Sequence, residues 1–427
     1  MAPVDVRVPG DKSITHRALI LGSLAEGTSR LARPLDSGDT RSTAGALRGL
    51  GVDVSGLDRG HTVVRGAGLT GWRACRDALD CGNSGTTARL LLGALAGCPF
   101  ESRLIGDPSL QRRPMRRVTE PLSEGGAVFE ELAEPGRLPI RVRGRRPLRP
   151  LAHDGPRASA QVKTALLLAA LTGQTSVRVS EPGLSRDHTE RMLASMGAGV
   201  AVRSHHGRTD VSLDASPRLE PLDLAIPGDP SSAAFFLGLG ALLGAVRALH
   251  VGLNPTRIGA VHVLARMGAA VRIEPTGEEA GEPVGDIIVG PGTLGGTIVD
   301  AAEVPALLDE IPLLAAVAAM ADGETRFDGV AELRVKESDR VAALAANLRA
   351  VGVAAEDQGD RLVVGGTGGR LRGMVRSFDD HRIAMAFGVL AALPGNEIIV
   401  DGREAAGISY PGFWTELDRV TMELGAK

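Results

Sequence analysis

The chain of 427 residues is poor in lysine and in aromatic residues. Only four of its 48 lysines and arginines are lysines, namely Lys12, Lys163, Lys336 and Lys427. Aromatic residues make up 3% of the chain, too few for the stacking surfaces that bind single-stranded nucleic acids. The net charge of −3 gives no general attraction to nucleic acid either. We therefore expect no nucleic acid partner.

Cysteines and long apolar runs are also scarce. The three cysteines, Cys75, Cys81 and Cys98, lack the C-x2-C spacing of a metal site, which predicts reduced thiols and no bound metal. No run of about 18 apolar residues is present to span a membrane. The opening "MAPVDVRVPG" lacks the basic and apolar segments of a signal peptide. We expect a cytoplasmic protein without a membrane partner.

The length favours two or three domains, and an internal repeat divides the chain further. A helix-like end followed by glycine and a strand-like run recurs at Gly51, Gly126, Gly197, Gly268 and Gly352, with a shortened copy near the C-terminus. Glycine closes a helix because it adopts the left-handed conformation easily. Helix, glycine and strand follow one another in many α/β proteins, but the near-regular spacing predicts six similar α/β units.

A second repeat pairs distant parts of the chain. "VPGDKSI" begins at Val8 and "IPGDPSS" begins at Ile226, and each precedes an apolar, helix-like run. This duplication predicts two halves of three units, with the chain crossing between them near Asp11 and near Ala225. The predicted domains are residues 12–225 and residues 1–11 together with 226–427.

The predicted helices begin beside short polar strings. Helices are predicted at Ser13–Ala25, Gly85–Ala96, Gln161–Leu171, Ser231–Leu243, Ile311–Ala321 and Asp380–Leu393, and strands at "HTVVRG", "TSVRVS", "DIIVGPG", "RLVVGG" and "EIIVDG". The strings include "GDKSITHR", "CGNSGTT", "QRRPMRR" and "ASAQVKT". Free N–H groups at a helix start attract anions, and lysine or arginine strengthens that attraction. Each string alone is equally an ordinary helix cap with solvated charges. Together they predict a site for a ligand with at least two anionic groups.

Two further strings carry carboxylates. "LLDEIP" places Asp309 and Glu310 before an apolar helix, where partial burial would raise a carboxyl pKa and the helix start would lower it. "VKESDR" places Lys336 and Arg340 four residues apart, so a helix would bring the two cations onto one face. An acidic ligand would relieve their repulsion, and a solvated salt-bridge surface is the alternative. "GPGTLG" fits the dinucleotide fingerprint but precedes a strand-like run, which excludes that function.

Seven segments together resemble one family, 3-phosphoshikimate 1-carboxyvinyltransferase (EPSP synthase), in order from about residue 7 to residue 420. They are "PGDKSITHRALILGSLAEG", "LDCGNSGTTARLLLGAL", "SLQRRPM", "ASAQVKTALLLAAL", "SRDHTERML", "ELRVKESDRVAAL" and "DDHRIAMAF". The resemblance implies a two-domain, inside-out barrel-like α/β fold of six β-α-β-α-β-β units, three per domain. It also implies an active site in the interdomain cleft.

The implied reaction transfers the enolpyruvyl group of phosphoenolpyruvate to the 5-hydroxyl of 3-phosphoshikimate and releases phosphate, a step of the shikimate pathway to chorismate and aromatic amino acids. No cofactor or metal and a monomeric state are implied. By motif match, 3-phosphoshikimate would contact Lys12, Ser13, Arg17, Ser159, Ala160, Gln161, Arg186, Asp309 and Lys336. Phosphoenolpyruvate would contact Lys12, Asn83, Gly85, Arg113, Gln161, Arg340 and Arg382. Asp309 is the expected base for the hydroxyl and Glu337 the expected acid for the methylene carbon, with Lys12 assisting.

The chain departs from the family pattern at two informative positions. Ile408 stands where members often carry a lysine near the C-terminus, and Ala160 replaces a serine. Two related alternatives are a UDP-N-acetylglucosamine enolpyruvyl transferase and a specialised-metabolism paralogue with another shikimate-like acceptor. The former family typically has Lys-Asn where Lys12–Ser13 stand and a cysteine before the arginine clamp, whereas Ser109–Arg117 contains none. A non-catalytic anion-binding scaffold would not need the pair Asp309 and Glu337.

Overall fold

The computed structural model describes residues 2–215 and 218–425, so the fourth lysine, Lys427, lies outside it. Up to residue 225 the elements are β1 (Val4–Val6), α1 (Lys12–Leu24), β2 (Glu26–Ala32), α2 (Gly38–Gly49), β3 (Asp53–Ser55), β4 (His61–Ala67), β5 (Leu79–Asp80), α3 (Gly85–Ala96), β6 (Glu101–Ile105), α4 (Pro108–Gln111), α5 (Arg116–Glu124), β7 (Val128–Glu131), β8 (Ile140–Arg143), β9 (Leu151–Asp154), α6 (Ala160–Thr172), β10 (Val177–Pro182), α7 (His188–Ser195), β11 (Val200–His205), β12 (Arg208–Leu213) and β13 (Asp223–Ala225).

The remaining elements are α8 (Pro230–Leu242), β14 (Val246–Gly252), α9 (Gly259–Met267), β15 (Ala270–Glu279), β16 (Glu282–Gly290), β17 (Ile298–Val299), α10 (Ile311–Ala319), β18 (Glu324–Asp328), α11 (Arg340–Ala350), β19 (Ala354–Asp357), β20 (Arg361–Gly365), β21 (Arg372–Arg376), α12 (His381–Ala391), β22 (Glu397–Asp401) and α13 (Phe413–Gly425). Short 3-10 helices include Leu308–Glu310, Ala331–Val335 and Arg403–Ile408. The predicted helices and strands are confirmed with shifts of a few residues at their ends.

Two compact units divide the chain, and each has its own apolar core. The first unit comprises residues 10–226 and residues 279–282; the second comprises the chain up to Pro9, residues 227–278 and the chain from Pro283 onward. The sequence did not anticipate that residues 279–282, the turn that joins β15 to β16 together with one residue of each strand, group with the first unit.

The first unit contains three four-stranded sheets with one shared topology. Their strand orders are β13-β2-β4-β3, β5-β6-β8-β7 and β9-β10-β12-β11. In each sheet the first two strands are parallel, and the other neighbours are antiparallel. Parallel neighbours need a crossover connection, which α3 supplies between β5 and β6 and α6 supplies between β9 and β10. In the remaining sheet, α1 leads into β2, and its parallel neighbour β13 comes from the end of the unit. Since these helices have nearly every residue buried, their apolar sequences match their central position.

The second unit repeats this topology in β1-β14-β16-β15 and β17-β18-β20-β19. Its third sheet has the parallel pair β21-β22, and no further strand follows within the described residues up to 425. The sixfold repetition is therefore confirmed, with the sixth copy shortened. Gly425, which the repeat suggested as a sixth helix-closing glycine, is instead the last residue of α13.

The glycine repeat behaves as predicted in the five complete copies. Gly51, Gly126, Gly197, Gly268 and Gly352 have φ values of 87, 100, 82, 110 and 90°. A residue with a β-carbon is strained in that conformation. These glycines therefore let each helix turn directly into the next strand, which explains why the sequence repeat marks the structural one.

Candidate active site

The start of α1 carries the first predicted cation of the site. Asp11 caps the helix, because its Oδ1 accepts a hydrogen bond of 2.8 Å from the backbone N–H of Ile14. Lys12 follows immediately, and its Nζ donates to Asp39 Oδ2 at 3.2 Å. Lys12 keeps 20% of its side-chain surface exposed, so the amine lies at the edge of the core.

Arg17 lies one turn further along α1 and is buried. Its Nε donates to Thr189 Oγ1 at 2.8 Å and its Nη2 donates to Thr164 Oγ1 at 3.0 Å. Its Nη1 donates to the backbone oxygen of Ser13 at 3.1 Å. These three contacts fix the guanidinium against the starts of α1, α6 and α7. The sequence did not indicate that the two threonines orient Arg17.

The glycine loop before α3 lies against an arginine from another segment. Arg113 Nη2 donates to Asn83 Oδ1 at 2.7 Å, and Asn83 Nδ2 donates to Asp107 Oδ2 at 2.6 Å. A β-carbon added at Gly85 would lie 3.3 Å from Arg113 Nη1 and 2.8 Å from Arg89 Nη1. Glycine therefore leaves room for two guanidinium groups beside the start of α3, as an anion site requires.

Gln161 joins three elements around this loop. Its Oε1 accepts from Arg89 Nη1 at 3.0 Å and from Arg117 Nη2 at 3.3 Å, and its Nε2 donates to Thr86 Oγ1 at 3.1 Å. Sequence reasoning missed Arg89, although an arginine inside the apolar run of α3 is a usable signal. Three further predicted residues of this unit lie at or near the starts of α6 and α7. Ser159 caps α6, Ala160 begins it, and Arg186 lies two residues before α7, partly buried.

Arg340 is the centre of the charged cluster in the second unit. It begins α11 and is 1% exposed. Its Nε and Nη2 donate to the two carboxylate oxygens of Asp380 at 2.8 and 3.1 Å, and Nη2 also donates to Glu337 at 2.7 Å. Burial opposes its charge, yet Asp380 and Glu337 together raise the pKa of Arg340. Burial alone would raise the pKa of Asp380, but Arg340 lowers it.

Asp309 gathers three cations around one carboxylate oxygen. Its Oδ1 lies 3.5 Å from Arg340 Nη1, 3.6 Å from Lys336 Nζ and 4.0 Å from Arg382 Nε. Arg382 Nη1 also donates to the backbone oxygen of Asp309 at 3.1 Å. Burial lowers the pKa of Lys336, against the opposing effect of Asp309. This lysine therefore releases its proton more readily than an ordinary lysine.

The predicted helical pairing of Lys336 with Arg340 is wrong. Lys336 follows the 3-10 helix Ala331–Val335, and α11 begins only at Arg340. In the structure, Asp309 Oδ1 lies 3.6 Å from Lys336 Nζ and 3.5 Å from Arg340 Nη1, so this carboxylate compensates part of their charge. Repulsion between cations can be relieved by a carboxylate that is distant in sequence, which the local pattern does not reveal.

The duplicated "PGD" motif has a different role in the second unit. Asp229 caps α8, and Pro230 occupies the place that Lys12 has in α1. The nearby cation is Arg257, whose Nη2 donates to Asp229 Oδ1 at 2.9 Å and to Ser231 Oγ at 3.0 Å. Ser231 Oγ in turn donates to Glu310, whose Oε1 lies 3.7 Å from Arg382 Nη1. The sequence did not identify Arg257.

The described part of the chain shows neither a metal cluster nor a membrane span. Across residues 2–215 and 218–425, no group of three or more His, Cys, Asp or Glu side chains is arranged to hold a metal ion. In the same residues, no helix is both long and apolar enough to cross a bilayer.

Known proteins are similar to this chain in both sequence and fold. The family model described as EPSP synthase (3-phosphoshikimate 1-carboxyvinyltransferase) matches residues 3–417. A relative from Thermus thermophilus with that enzyme name is 49% identical over 422 residues, covering 97% of this chain and 96% of the relative. Another, from Alkalilimnicola ehrlichii, is 46% identical over 411 residues, covering 96% and 91%.

Solved structures give the same picture. An EPSP synthase from Acinetobacter baumannii superposes with a TM-score of 0.84 at 37% identity, covering 98% of this chain and 96% of that one. The enolpyruvyl transferase NikO from Streptomyces tendae superposes with a TM-score of 0.72 at 18% identity, which is a likeness of fold alone.

Proposed function

The chain belongs to the EPSP synthase family and transfers the enolpyruvyl group of phosphoenolpyruvate to the 5-hydroxyl of 3-phosphoshikimate; we propose which of its residues perform each part of this reaction. Both substrates are multiply charged anions. The first unit supplies the starts of three capped helices with their cations, and the second unit supplies a cluster rich in arginine and carboxylate. We infer that the reaction uses side chains of both units.

The acceptor, 3-phosphoshikimate, is assigned mainly to the first unit. Lys12, Ser13 and Arg17 lie at the start of α1, where backbone N–H groups and two cations favour a phosphate. The other proposed acceptor contacts are Ser159, Ala160, Gln161, Arg186, Asp309 and Lys336. In support, Thr164 and Thr189 hold the Arg17 guanidinium in one orientation. Because the side chain is already ordered, it loses less conformational entropy when the acceptor binds.

The donor, phosphoenolpyruvate, has a carboxylate and a phosphate to neutralise. We assign Arg113, Arg340 and Arg382 to these groups, because a guanidinium forms strong, charge-assisted hydrogen bonds with a carboxylate or a phosphate. Lys12, Asn83, Gly85 and Gln161 complete the proposed set. In support, Asn83 orients the Arg113 guanidinium, and Gly85 leaves space beside it.

The chemistry needs one base and one acid. We assign Asp309 to remove the proton of the 5-hydroxyl as its oxygen attacks C2 of phosphoenolpyruvate, and Glu337, assisted by Lys12, to protonate the methylene carbon. In the second half, the bond from C2 to the phosphate oxygen breaks, the new methyl group loses a proton and phosphate leaves, so both carboxylates reverse their roles. This proposal depends on one observation: the Asp309 carboxylate lies within 4.0 Å of the side-chain nitrogens of Lys336, Arg340 and Arg382. The three cations around this carboxylate would compensate part of the negative charge of the two substrates.

The first experiment measures phosphate release from phosphoenolpyruvate with 3-phosphoshikimate or with UDP-N-acetylglucosamine as acceptor. We expect turnover with 3-phosphoshikimate alone. Turnover with only the UDP-sugar would overturn the acceptor assignment. A shikimate-like acceptor that is used far better than 3-phosphoshikimate would indicate the specialised paralogue instead.

The second experiment tests the base. Asp309→Asn should lower kcat by about 10²- to 10⁴-fold, the usual contribution of a general base. The matched control is Asp379→Asn, because Asp379 is exposed and lies in the same unit. A kcat for Asp309→Asn within a factor of about three of the wild type would contradict the assignment. The monomeric state and the cytoplasmic location stay predictions, the first of which sedimentation velocity tests directly.

A further inference from the structure

A buried cluster of three charges lies in the first unit and has no part in the reaction proposed above. It consists of Lys163 in α6, Glu181 in β10 and Glu190 in α7. Lys163 Nζ lies 2.9 Å from Glu181 Oε1 and 2.7 Å from Glu190 Oε1, and the three side chains are at most 4% exposed. Because withdrawing charges from water costs free energy, the cluster calls for a role beyond packing.

Glu181 touches both segments that carry the proposed acceptor contacts. Its Oε2 accepts from the backbone N–H of Ser159 at 3.0 Å, at the start of α6. Its Oε1 accepts from the backbone N–H and the hydroxyl of Ser185, at 2.9 and 2.6 Å. Ser185 directly precedes Arg186. One carboxylate thus ties the segment of Ser159 to the segment of Arg186.

The other two charges hold α6 against α7 beside Arg17. Lys163 and Glu190 pair across these helices, and the residues adjacent to them in sequence, Thr164 and Thr189, form a hydrogen bond of 2.6 Å. These two threonines are the hydroxyls that receive Arg17. The cluster therefore borders all three groups of proposed acceptor contacts in the first unit.

The charges of the cluster favour a stable, ionised Glu181. Burial alone lowers the pKa of Lys163, but Glu190 and Glu181 together raise it. Burial alone raises the pKa of Glu181, but Lys163 and the Ser185 hydrogen bonds together lower it. Burial raises the pKa of Glu190, against the opposing effect of Lys163. An ionised carboxylate makes stronger hydrogen bonds to N–H groups than a neutral acceptor does.

We propose that Glu181 is a positioning residue for the acceptor: held by Lys163, it fixes the start of α6 and the segment of Ser185 and Arg186 in the arrangement that binds 3-phosphoshikimate. The proposal rests on the function proposed above. It gives Glu181 no contact with substrate. Gln161, at the start of α6, is a proposed contact of both substrates, but the donor contacts Arg113 and Asn83 are held by each other and by Asp107. The effect should therefore fall mainly on the acceptor.

The test compares steady-state kinetics and calorimetric binding in the full-length protein, with 3-phosphoshikimate as the acceptor. Glu181→Gln keeps the volume but turns one accepting oxygen into a donating amide, which opposes the N–H of either Ser159 or Ser185. We expect both KM and Kd for the acceptor to rise at least about tenfold, because small misplacements of binding groups are costly. The KM for phosphoenolpyruvate should change less than about threefold.

A second, less disruptive pair of variants tests the proposal if Glu181→Gln fails to fold. Ser185→Ala removes one hydrogen bond to Glu181 and should raise the KM for the acceptor about threefold. Ser102→Ala is the matched control, because Ser102 is equally buried in β6 of the same unit. It should leave the KM values for both substrates unchanged. If the KM for the acceptor is equal in these two variants, the proposal is overturned.

Glu190→Gln separates the role of Glu181 from that of the cluster as a whole. It keeps the Lys163–Glu181 pair and should raise the KM for the acceptor less than Glu181→Gln does. An equal rise in the two variants, or an equal rise for both substrates in Glu181→Gln, would assign the effect to general loosening and refute the positioning role. Failure of the wild type to use 3-phosphoshikimate would instead refute the proposed function, and the two failures are therefore distinguishable.

Discussion

The replacement Arg340→Ala should strongly destabilise the second unit. Arg340 is 1% exposed and makes two hydrogen bonds to Asp380, which is fully buried. Without the guanidinium, the donors left to the Asp380 carboxylate among the described residues are the N–H of Arg382 and the hydroxyl of Ser338. Removing one partner of a buried ion pair costs about 3–5 kcal/mol, because the other charge stays buried and uncompensated.

Urea unfolding at pH 7 measures this loss. Trp72 and Trp414 are the two tryptophans of the chain, and Trp414 packs on Phe413 in the same unit as Arg340. In a Trp72→Phe background, fluorescence therefore reports the unit that contains Arg340. The matched control Arg349→Ala, an exposed position on the same helix, should cost less than about 1 kcal/mol.

A second substitution isolates the cause. In the Arg340→Ala background, Asp380→Asn removes the uncompensated charge and should recover about 2 kcal/mol of the loss. The loss should also depend on pH. In the wild type, Arg340 holds the pKa of Asp380 below its usual value, so that contribution is present at neutral pH and lost as pH falls. In the variant, burial raises the pKa of Asp380, the folded state takes up a proton, and the difference from wild type shrinks toward pH 4.

A loss below about 1 kcal/mol for Arg340→Ala, or no recovery on adding Asp380→Asn, would refute this reasoning. Either result would mean that water or a shifted side chain compensates the carboxylate. Because Arg340→Ala leaves a buried carboxylate uncompensated, it is a poor probe of donor binding. Arg113→Ala is the better probe, since Arg113 Nη2 donates to the neutral Asn83.

Three further predictions concern acid stability, the glycine loop and the missing lysine. Burial lowers the pKa of His16, whose Nδ1 lies 2.7 Å from Thr43 Oγ1, to about 3. Because the unfolded chain takes up this proton near pH 6.5, His16 costs stability as pH falls, and His16→Asn should remove about 2 kcal/mol of the loss between pH 6.5 and 5 in urea unfolding; identical pH profiles would contradict this. Gly85→Ala should displace the flexible Arg89 guanidinium, so we expect the KM for phosphoenolpyruvate to rise about tenfold while stability changes by less than about 1 kcal/mol; a large stability loss with unchanged KM would show that the loop is structural only. Ile408→Lys should lower the KM for phosphoenolpyruvate and leave that for the acceptor unchanged, and no change in either would place this position away from the donor.

Much of the local structure was readable from the sequence. Apolar runs predicted the central helices, and in the structure Asp11, Ser84 and Ser159 cap three of them. Each of these caps accepts a hydrogen bond from a backbone N–H three residues later. The glycine repeat predicted five of the six copies because a left-handed residue is needed at each helix end.

The partners of the charged residues were not readable in this way. Lys12 pairs with Asp39, and Gln161 with Arg89, across 27 and 72 residues. The pattern of Lys336 and Arg340 did not reveal that Asp309 lies beside both cations. Lys163 stood in a polar string with no sign that Glu181 and Glu190 would enclose it.

The amino-acid order by itself determined the helices, their caps, the sixfold repetition and the types of side chain that face anionic substrates. These features depend on contacts within a few residues, where backbone sterics and hydrogen bonding are local. Only the tertiary structure decided which carboxylate balances which cation, and which threonine or glutamate holds each arginine or loop. A charge is satisfied by whichever opposite group is near in space, and that neighbour is set by the packing of sheets and helices far apart along the chain.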